Sequence, residues 1–519
     1  MVDDAVAPGK ASRPDASPLI LHAASEVVGF AKTGGLADVV GSLPCVLARH
    51  GYPCVVMTPL YRSTRAARVP MQATPHRVRV PLAGREIAGA IWQSTLADGE
   101  VPVYLVEQPE FFERDDPVSG AGLYQFTRLD GTRVDYPDNA ERYAFFCQAV
   151  VQAIERLGLR PAIVHAHDWQ TGLLPVYLQK PGHPGADGAG IHTVFTIHNI
   201  AYQGVFPAEV LPRIGLDWRL FNPEQLEFYG QLNCLKAGIV FAERITTVSA
   251  RYALEIQTPY FGCGLQGVLS ARRDRLTGIV NGVDYRIWNP AHDPLIASRY
   301  DSSNVSEGKA ICKAALQRRF RLPEQPRAPL LGMVSRLVEQ KGLDLLREAA
   351  PPLLAEDGVQ LVVLGDGEPA YRRMLQELQA RYPQQVGLAL TFDEGLAHQI
   401  EAGADIYLMP SLYEPSGLNQ LYSLKYGTVP VVRATGGLAD TIVDVTPETL
   451  ASGTATGFCF TAYAGSALLE ATRRALALYR GDRERWLQVV RTGMSQDWSW
   501  DRSAREYQKL YDQLLAPAD

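Results

Sequence analysis

Arg336 and Lys341 stand five residues apart in VSRLVEQKG, after an apolar run. A guanidinium fork and a point-charge ammonium at that spacing can converge on a diphosphate and stabilise a departing phosphate, or simply open a charged helix. Glu414 opens EPSGLNQLYSLKYG behind the apolar run IYLMPS. The Pro, Ser416 and Gly417 after it predict a helix N-terminus, whose N–H groups hold anions. The Glu414 carboxylate then faces either a sugar or developing cation, or serves as an acidic cap. Lys32, just ahead of two glycines, is placed to neutralise a phosphate or to stand in solvent. His165, His167 and Asp168 fall together in HAHDW. Their H-x-H spacing suits a metal, but no third ligand lies nearby in sequence, so hydrogen bonding to a polar ligand or a structural role is expected and no metal. Trp169 offers a face to a sugar ring or packs in the core. His198 and Asn199 end another apolar run, TIHNI, and bring a second His–polar pair to a strand end.

The elements that must position these groups are legible as alternating apolar runs and helical segments. PLILHAASE, PCVVMTPLY, IVHAHDW and HTVFTIHNI read as buried parallel strands that deliver polar residues at their C-terminal ends. ITTVSARYA and LTGIVNGVD follow the same style. A second series comprises APLLGMVSRL, VQLVVLGDGE, VGLALTF, ADIYLMPS and TVPVVRAT, with EPAYRRMLQELQARY and SALLEATRRALALYR as helices. The fold class expected is α/β, two doubly wound parallel sheets. Ligands of such sheets bind at the strand C-terminal ends. The hexapeptide TGGLAD occurs at Thr33–Asp38 and again at Thr435–Asp440. Paired glycines at a helix start let N–H groups approach an anion, so both turns are expected to face one binding site; the alternative is two ordinary helix-entry turns.

Several classes are excluded. Ala31 precedes Lys32, so KTGG does not complete a phosphate loop. There is no D-x-D and no G-x-S-x-G, and LGDGE has no third glycine in place. With 519 residues, a net charge of −6, 46% hydrophobic and 20% charged residues, the chain reads as a soluble protein of two or three domains without a general nucleic-acid surface. Seven scattered cysteines without a C-x-x-C pair point to a reducing compartment. No apolar stretch is long enough for a membrane span.

The strings KTGGLADVVGSLP, VHAHDWQTGLLP, FTIHNIAYQG, NGVDYRIWNP, SRLVEQKGLDLL, YEPSGLNQLYSLKYGTVPVVRATGGLADT and DWSW run in order through nearly the whole chain. This set resembles bacterial glycogen synthases and plant starch synthases, retaining glucosyltransferases of the GT-B fold. The resemblance implies two Rossmann-like domains facing across a deep cleft. The expected division is a flexible tail over 1–18, an N-terminal acceptor domain over 19–275, a C-terminal nucleotide-sugar domain over 276–495, and a final helix over 496–519 crossing back. It implies transfer of glucose from ADP-glucose to the non-reducing end of an α-1,4-glucan, in the cytoplasm, without cofactor or metal, nucleic-acid partner or membrane. A UDP-glucose enzyme of the same fold and a silent glucan-binding scaffold are the alternatives.

By resemblance, Lys32 contacts the diphosphate, with Gly34 and Gly35 approaching the phosphates. Arg336 and Lys341 bind the diphosphate, Asp168 and His198 line the glucosyl site, and Glu414 is the essential acid near the glucose. Gly417 and Leu418 give backbone donors, Phe392 lies beside the adenine, and Asn281 lies near the hinge. Trp169 and Asn199 are acceptor-side candidates. The chain departs from related patterns in three places: Tyr422 stands where other GT-B families carry the second Glu of E-x7-E, Ser416 where Cys is frequent, and Gln170 where some members have His.

Overall fold

The computed structural model describes residues 17–116, 118–180 and 190–516. The expected tail falls almost wholly on residues 1–16, outside the described part.

Two sheets carry the fold. The strands of the first are β1 Leu19–Ala23, β2 Cys54–Pro59, β3 Gln72–Leu82, β4 Arg85–Thr95, β5 Pro102–Glu107, β6 Pro161–His167, β7 His192–Ile197, β8 Arg244–Thr247 and β9 Leu276–Gly278. They lie in the order β9-β8-β7-β6-β1-β2-β5-β4-β3. The second sheet holds β10 Leu330–Val334, β11 Gln360–Leu364, β12 Val386–Ala389, β13 Ile406–Met409, β14 Val429–Arg433 and β15 Phe458–Phe460. Its order is β12-β11-β10-β13-β14-β15, parallel throughout. The order reverses direction at β10/β13, the kind of switch point at which open α/β sheets bind ligands.

The runs form these strands because apolar residues dominate them and the few polar ones are buried with them. Every residue of CVVMTP, QLVVL and IYLM is buried, as expected for strands covered on both faces. The expected α/β class with parallel sheets is what the chain adopts. One departure is the edge of the first sheet, where β3, β4 and β5 pair antiparallel. The expected strands omit β5 and β15, and also β3 and β4. The signal of β3 and β4 is period-two burial, as in Val78, Val80 and Leu82, which a search for continuous apolar runs passes over.

The chain forms two compact units. One takes in residues up to Val194, Val205–Gly238 and the C-terminal end from Tyr511; the other takes in Phe195–Gly204 and Ile239–Leu510. Within the first, the end of the last helix, Trp500–Leu515, is anchored by a Tyr52–Asp512 hydrogen bond and by Tyr511, whose hydroxyl lies 2.7 Å from His165 Nδ1. No helix among the described residues is long and apolar enough to cross a membrane.

Candidate active site

The second unit brings Lys341 and Glu414 together. After β10 the chain passes Ser335 and Arg336, and Leu337 is buried where its N–H bonds to Asp366 O. A single 3-10 turn, Glu339–Lys341, follows and ends in Gly342 at φ +69°. A Cβ at Gly342 would sit 2.0 Å from Pro410 O, so only glycine lets this turn press against the end of β13. Leu412 N–H donates to Gln340 O and Gln340 Nε2 to Tyr413 O, tying the two loops together. Lys341 Nζ thereby reaches Glu414 Oε2 at 2.6 Å, and Ser411 Oγ donates to the same oxygen at 3.0 Å. The two side chains are 18% and 7% exposed, so little solvent screens the pair. Arg336 is exposed and makes no side-chain hydrogen bond or ion pair among the described residues.

The segment after Glu414 is fixed through its backbone. Gly437 N–H is shared between Glu414 O (3.0 Å) and Pro415 O (3.2 Å), and Ser249 Oγ donates to Pro415 O at 2.6 Å. Gln420 Nε2 donates to Ser416 O and Gly417 O. Gly417 turns the chain at φ +67° into the helix Asn419–Tyr426. Asn419 Nδ2 locks that helix to Val334 O and Tyr407 Oη. The N–H groups of Gly417 and Leu418, at the helix entry, carry no hydrogen bond among the described residues. Among the buried side-chain oxygens of this unit without a partner among the described residues are Asn281 Oδ1, Ser335 Oγ, Ser416 Oγ and Gln420 Oε1. Buried polar groups are nearly always bonded, so such a set marks where a polar ligand would be satisfied.

Other expected residues of this unit follow strand ends. Asn199, at the end of β7, hydrogen-bonds Tyr413, whose hydroxyl burial pushes up to about 12. His198 is 9% exposed, and burial drops its imidazole to about 3, so it is neutral at physiological pH. Phe392 follows β12 and is 84% exposed, with Asp393 behind it capping the next helix at Leu396 N–H.

In the first unit, Lys32 is half exposed and paired with Asp38 at 2.7 Å. Gly34 does not offer a free N–H: it donates to Glu26 Oε2 at 3.2 Å, and Thr33 Oγ1 donates to Glu26 Oε1 at 2.6 Å. Gly35, exposed, begins the helix Gly35–Arg49. The second TGGLAD copy departs further from expectation. Gly436 N–H goes to Glu255 Oε2 at 3.0 Å and Gly437 N–H to the Glu414 carbonyl, so this turn faces protein and not a ligand. Glu26 and Glu255 were not singled out in the sequence, and no local pattern marks them.

Asp168 ends β6 with φ +58° and ψ 179°, a region that side-chain-bearing residues scarcely enter. Such strain gathers at functional sites. Trp169 is 9% exposed and packed among Tyr124, Tyr143 and Phe206, which favours its core-packing alternative over a sugar platform. A third nitrogen ligand, distant in sequence, lies near the H-x-H pair: His22 on β1 joins His165 and His167, with ligand nitrogens within 4.8 Å of one another. These rings are engaged with protein partners, His22 Nδ1 with His167 Nε2 at 3.2 Å and His165 with Tyr511. Burial drops His22 to about 3.

Comparison with known proteins identifies the arrangement. Residues 19–271 match the starch synthase catalytic domain and residues 316–490 the glycosyl transferases group 1 domain. The chain is 49% identical to a glycogen synthase of Anaeromyxobacter dehalogenans (strain 2CP-C), over 96% of this chain and 100% of that one. It is 47% identical to glycogen synthase 2 of Nitrosococcus oceani, over 96% of this chain and 97% of that one. Its fold matches the catalytic domain of starch synthase IV from Arabidopsis thaliana, solved with ADP and acarbose, at TM-score 0.86 and 32% identity, covering 96% and 99% of the two chains. The chain belongs to the glycogen and starch synthase family, glucosyltransferases of the GT-B fold that build glucan from a nucleotide sugar.

Proposed function

We propose that this enzyme transfers glucose from ADP-glucose to the non-reducing 4-OH of an α-1,4-glucan, with retention, in the cytoplasm. The observation that carries the site assignment is the Lys341–Glu414 pair at 2.6 Å beside the unbonded N–H groups of Gly417 and Leu418. A cation, a carboxylate and a helix entry lie on one short stretch of structure. The cation and the N–H groups suit a diphosphate, and the carboxylate suits the positive charge that develops on the sugar. Arg336, exposed and unpaired, adds a second cation for the leaving ADP. Phe392 offers its exposed ring to the adenine, and Asn281 holds its unbonded Oδ1 for a polar ligand atom. In the first unit, Lys32 and Gly35 are assigned to the phosphates and Asp168 to the glucosyl group, with Gly34 contributing only its lack of a side chain, since its N–H is taken by Glu26. A starch synthase relative solved with ADP supports the adenine nucleotide.

In this reading the bond between glucosyl C1 and the phosphate oxygen breaks with oxocarbenium character. The acceptor oxygen bonds to C1 on the same face, and its proton passes to the departing phosphate. Neutral His198 donates or accepts a hydrogen bond without adding charge. The test is nucleotide release with glycogen present, ADP-glucose against UDP-glucose, for the parent and Glu414→Gln. ADP release from ADP-glucose in the parent and its collapse in Glu414→Gln are expected. Preference for UDP-glucose overturns the donor assignment, and full turnover in Glu414→Gln overturns the role of Glu414.

A further inference from the structure

Glu255 ends the helix Ala250–Glu255 and is 5% exposed. Its Oε2 accepts from Thr435 Oγ1 at 3.1 Å and from Gly436 N–H at 3.0 Å, while Oε1 accepts from Arg251 Nε at 3.1 Å. The turn it holds is in backbone contact with the segment bearing Glu414. A Cβ at Gly436 would sit 1.9 Å from Glu414 O and one at Gly437 2.0 Å from Ser416 O. At that separation a shift of the turn must move the segment. The other end of the same helix acts in concert: Ser249 Oγ accepts from Tyr252 N–H to start the helix and donates to Pro415 O. One short helix thus grips the Glu414–Ser416 backbone from both ends.

The arrangement recurs independently. In the first TGGLAD copy the same two donors, the Thr hydroxyl and the first Gly N–H, meet a buried carboxylate, Glu26. The acceptor there comes from 7 residues away, whereas in the second copy it comes from 180. The same solution reached from unrelated positions shows what the turn needs. A helix entry leaves N–H groups unsatisfied, and a carboxylate answers both them and the helix dipole.

We propose that Glu255 is a positioning residue for glucosyl transfer, which by holding Thr435 and Gly436 sets the backbone that presents Glu414. This rests on the reading of Glu414 given above. The test compares Glu255→Ala, Glu255→Gln and Glu414→Gln in the full chain by kcat, by KM for ADP-glucose and glycogen, and by thermal unfolding. Misplacing a catalytic group by about 1 Å costs about 10²-fold in rate. Glu255→Ala therefore loses about that factor in kcat, with KM for glycogen unchanged. Glu255→Gln keeps an acceptor oxygen for both donors and recovers kcat to within about fivefold of the parent. Rescue by the neutral amide is a result that loss of a folding charge alone does not give. If Glu255→Ala does not fold, Thr435→Val against Thr435→Ser decides, with only the valine losing turnover. A parent-like kcat in Glu255→Ala or Thr435→Val, or a folded Glu255→Gln as slow as the alanine, overturns the proposal. An active Glu414→Gln instead overturns the underlying reading, so the two failures are distinct.

Discussion

Replacing Asp168 by glycine should stabilise this protein relative to replacing it by alanine, while both variants lose turnover. Asp168 sits at φ +58°, ψ 179°. That conformation costs a residue with a Cβ about 1–3 kcal/mol, and glycine nothing. Against this, glycine gives the unfolded chain extra freedom, about 0.4–1 kcal/mol. Both substitutions remove the same carboxylate, so its lost bonds cancel in the comparison. The difference left is centred on about 1.3 kcal/mol in favour of glycine, within a span of about 0–2.6. For a unit of about 200 residues that is a few degrees of melting temperature, at roughly 2–4 °C per kcal/mol. The assay is thermal unfolding of the three proteins at one protein concentration and scan rate, with glucan synthesis measured in parallel. An alanine variant as stable as the glycine variant would refute the strain argument, because it would mean that the strand end relaxes at no cost. If the glycine variant is both more stable and inactive, Asp168 exchanges stability for the direction in which its side chain is held.

Lys341→Ala leaves the Glu414 carboxylate with Ser411 as its one remaining partner among the hydrogen bonds described. Breaking a shielded pair from one side costs about 3–5 kcal/mol, and Lys341→Ala/Glu414→Gln should recover part of it, as urea unfolding of single and double variants will show; equal stability of the two refutes the shielding argument. Acid should destabilise the fold through His22 and His198. Both fall from an ordinary 6.5 to about 3, so the unfolded chain takes up protons that the folded one refuses, and stability is complete above pH 6.5 and lost as pH drops from there towards 3. At pH 5 this amounts to roughly 2 kcal/mol for each histidine, read as a smaller pH 7 to 5 loss in His22→Asn than in the parent. The two TGGLAD copies should respond oppositely to alanine. Nothing lies within 4 Å of a Cβ at Gly34, whereas one at its counterpart Gly436 meets Glu414 O at 1.9 Å. Gly34→Ala should thus fold like the parent and raise KM for the nucleotide sugar, while Gly436→Ala should unfold early; the reverse order in melting temperature refutes this reading.

Those two copies show how far the sequence could be read. Identical letters announced two helix entries, and both are there. The reason for the glycines differs, because at 436–437 the space is filled by another loop's carbonyls, and that approach exists only once the fold has formed. Glu26 and Glu255 escaped notice for the same reason: a buried carboxylate that serves a distant turn has no local periodicity. Strands such as β2, β11 and β13 were legible because continuous burial leaves continuous apolar runs, while β3 and β4, buried on one face, leave none. Among the candidate residues, Lys341, Glu414 and Asn199 are brought into one neighbourhood by loops at strand ends, where sequence position is a fair guide. Trp169 could not be resolved from sequence, since a sugar platform and a core ring share the same letter.

The bond from Gly437 N–H to the Glu414 and Pro415 carbonyls joins main chain to main chain. Salt and pH therefore have little hold on it directly, and only opening of the loop exposes this amide to solvent. Its rate of exchange with deuterium is then a clock for that opening. A ligand that closes the loop slows the clock by the factor with which it favours the closed form. The share of binding energy spent on ordering Glu414 becomes readable at a single amide that is already occupied by protein.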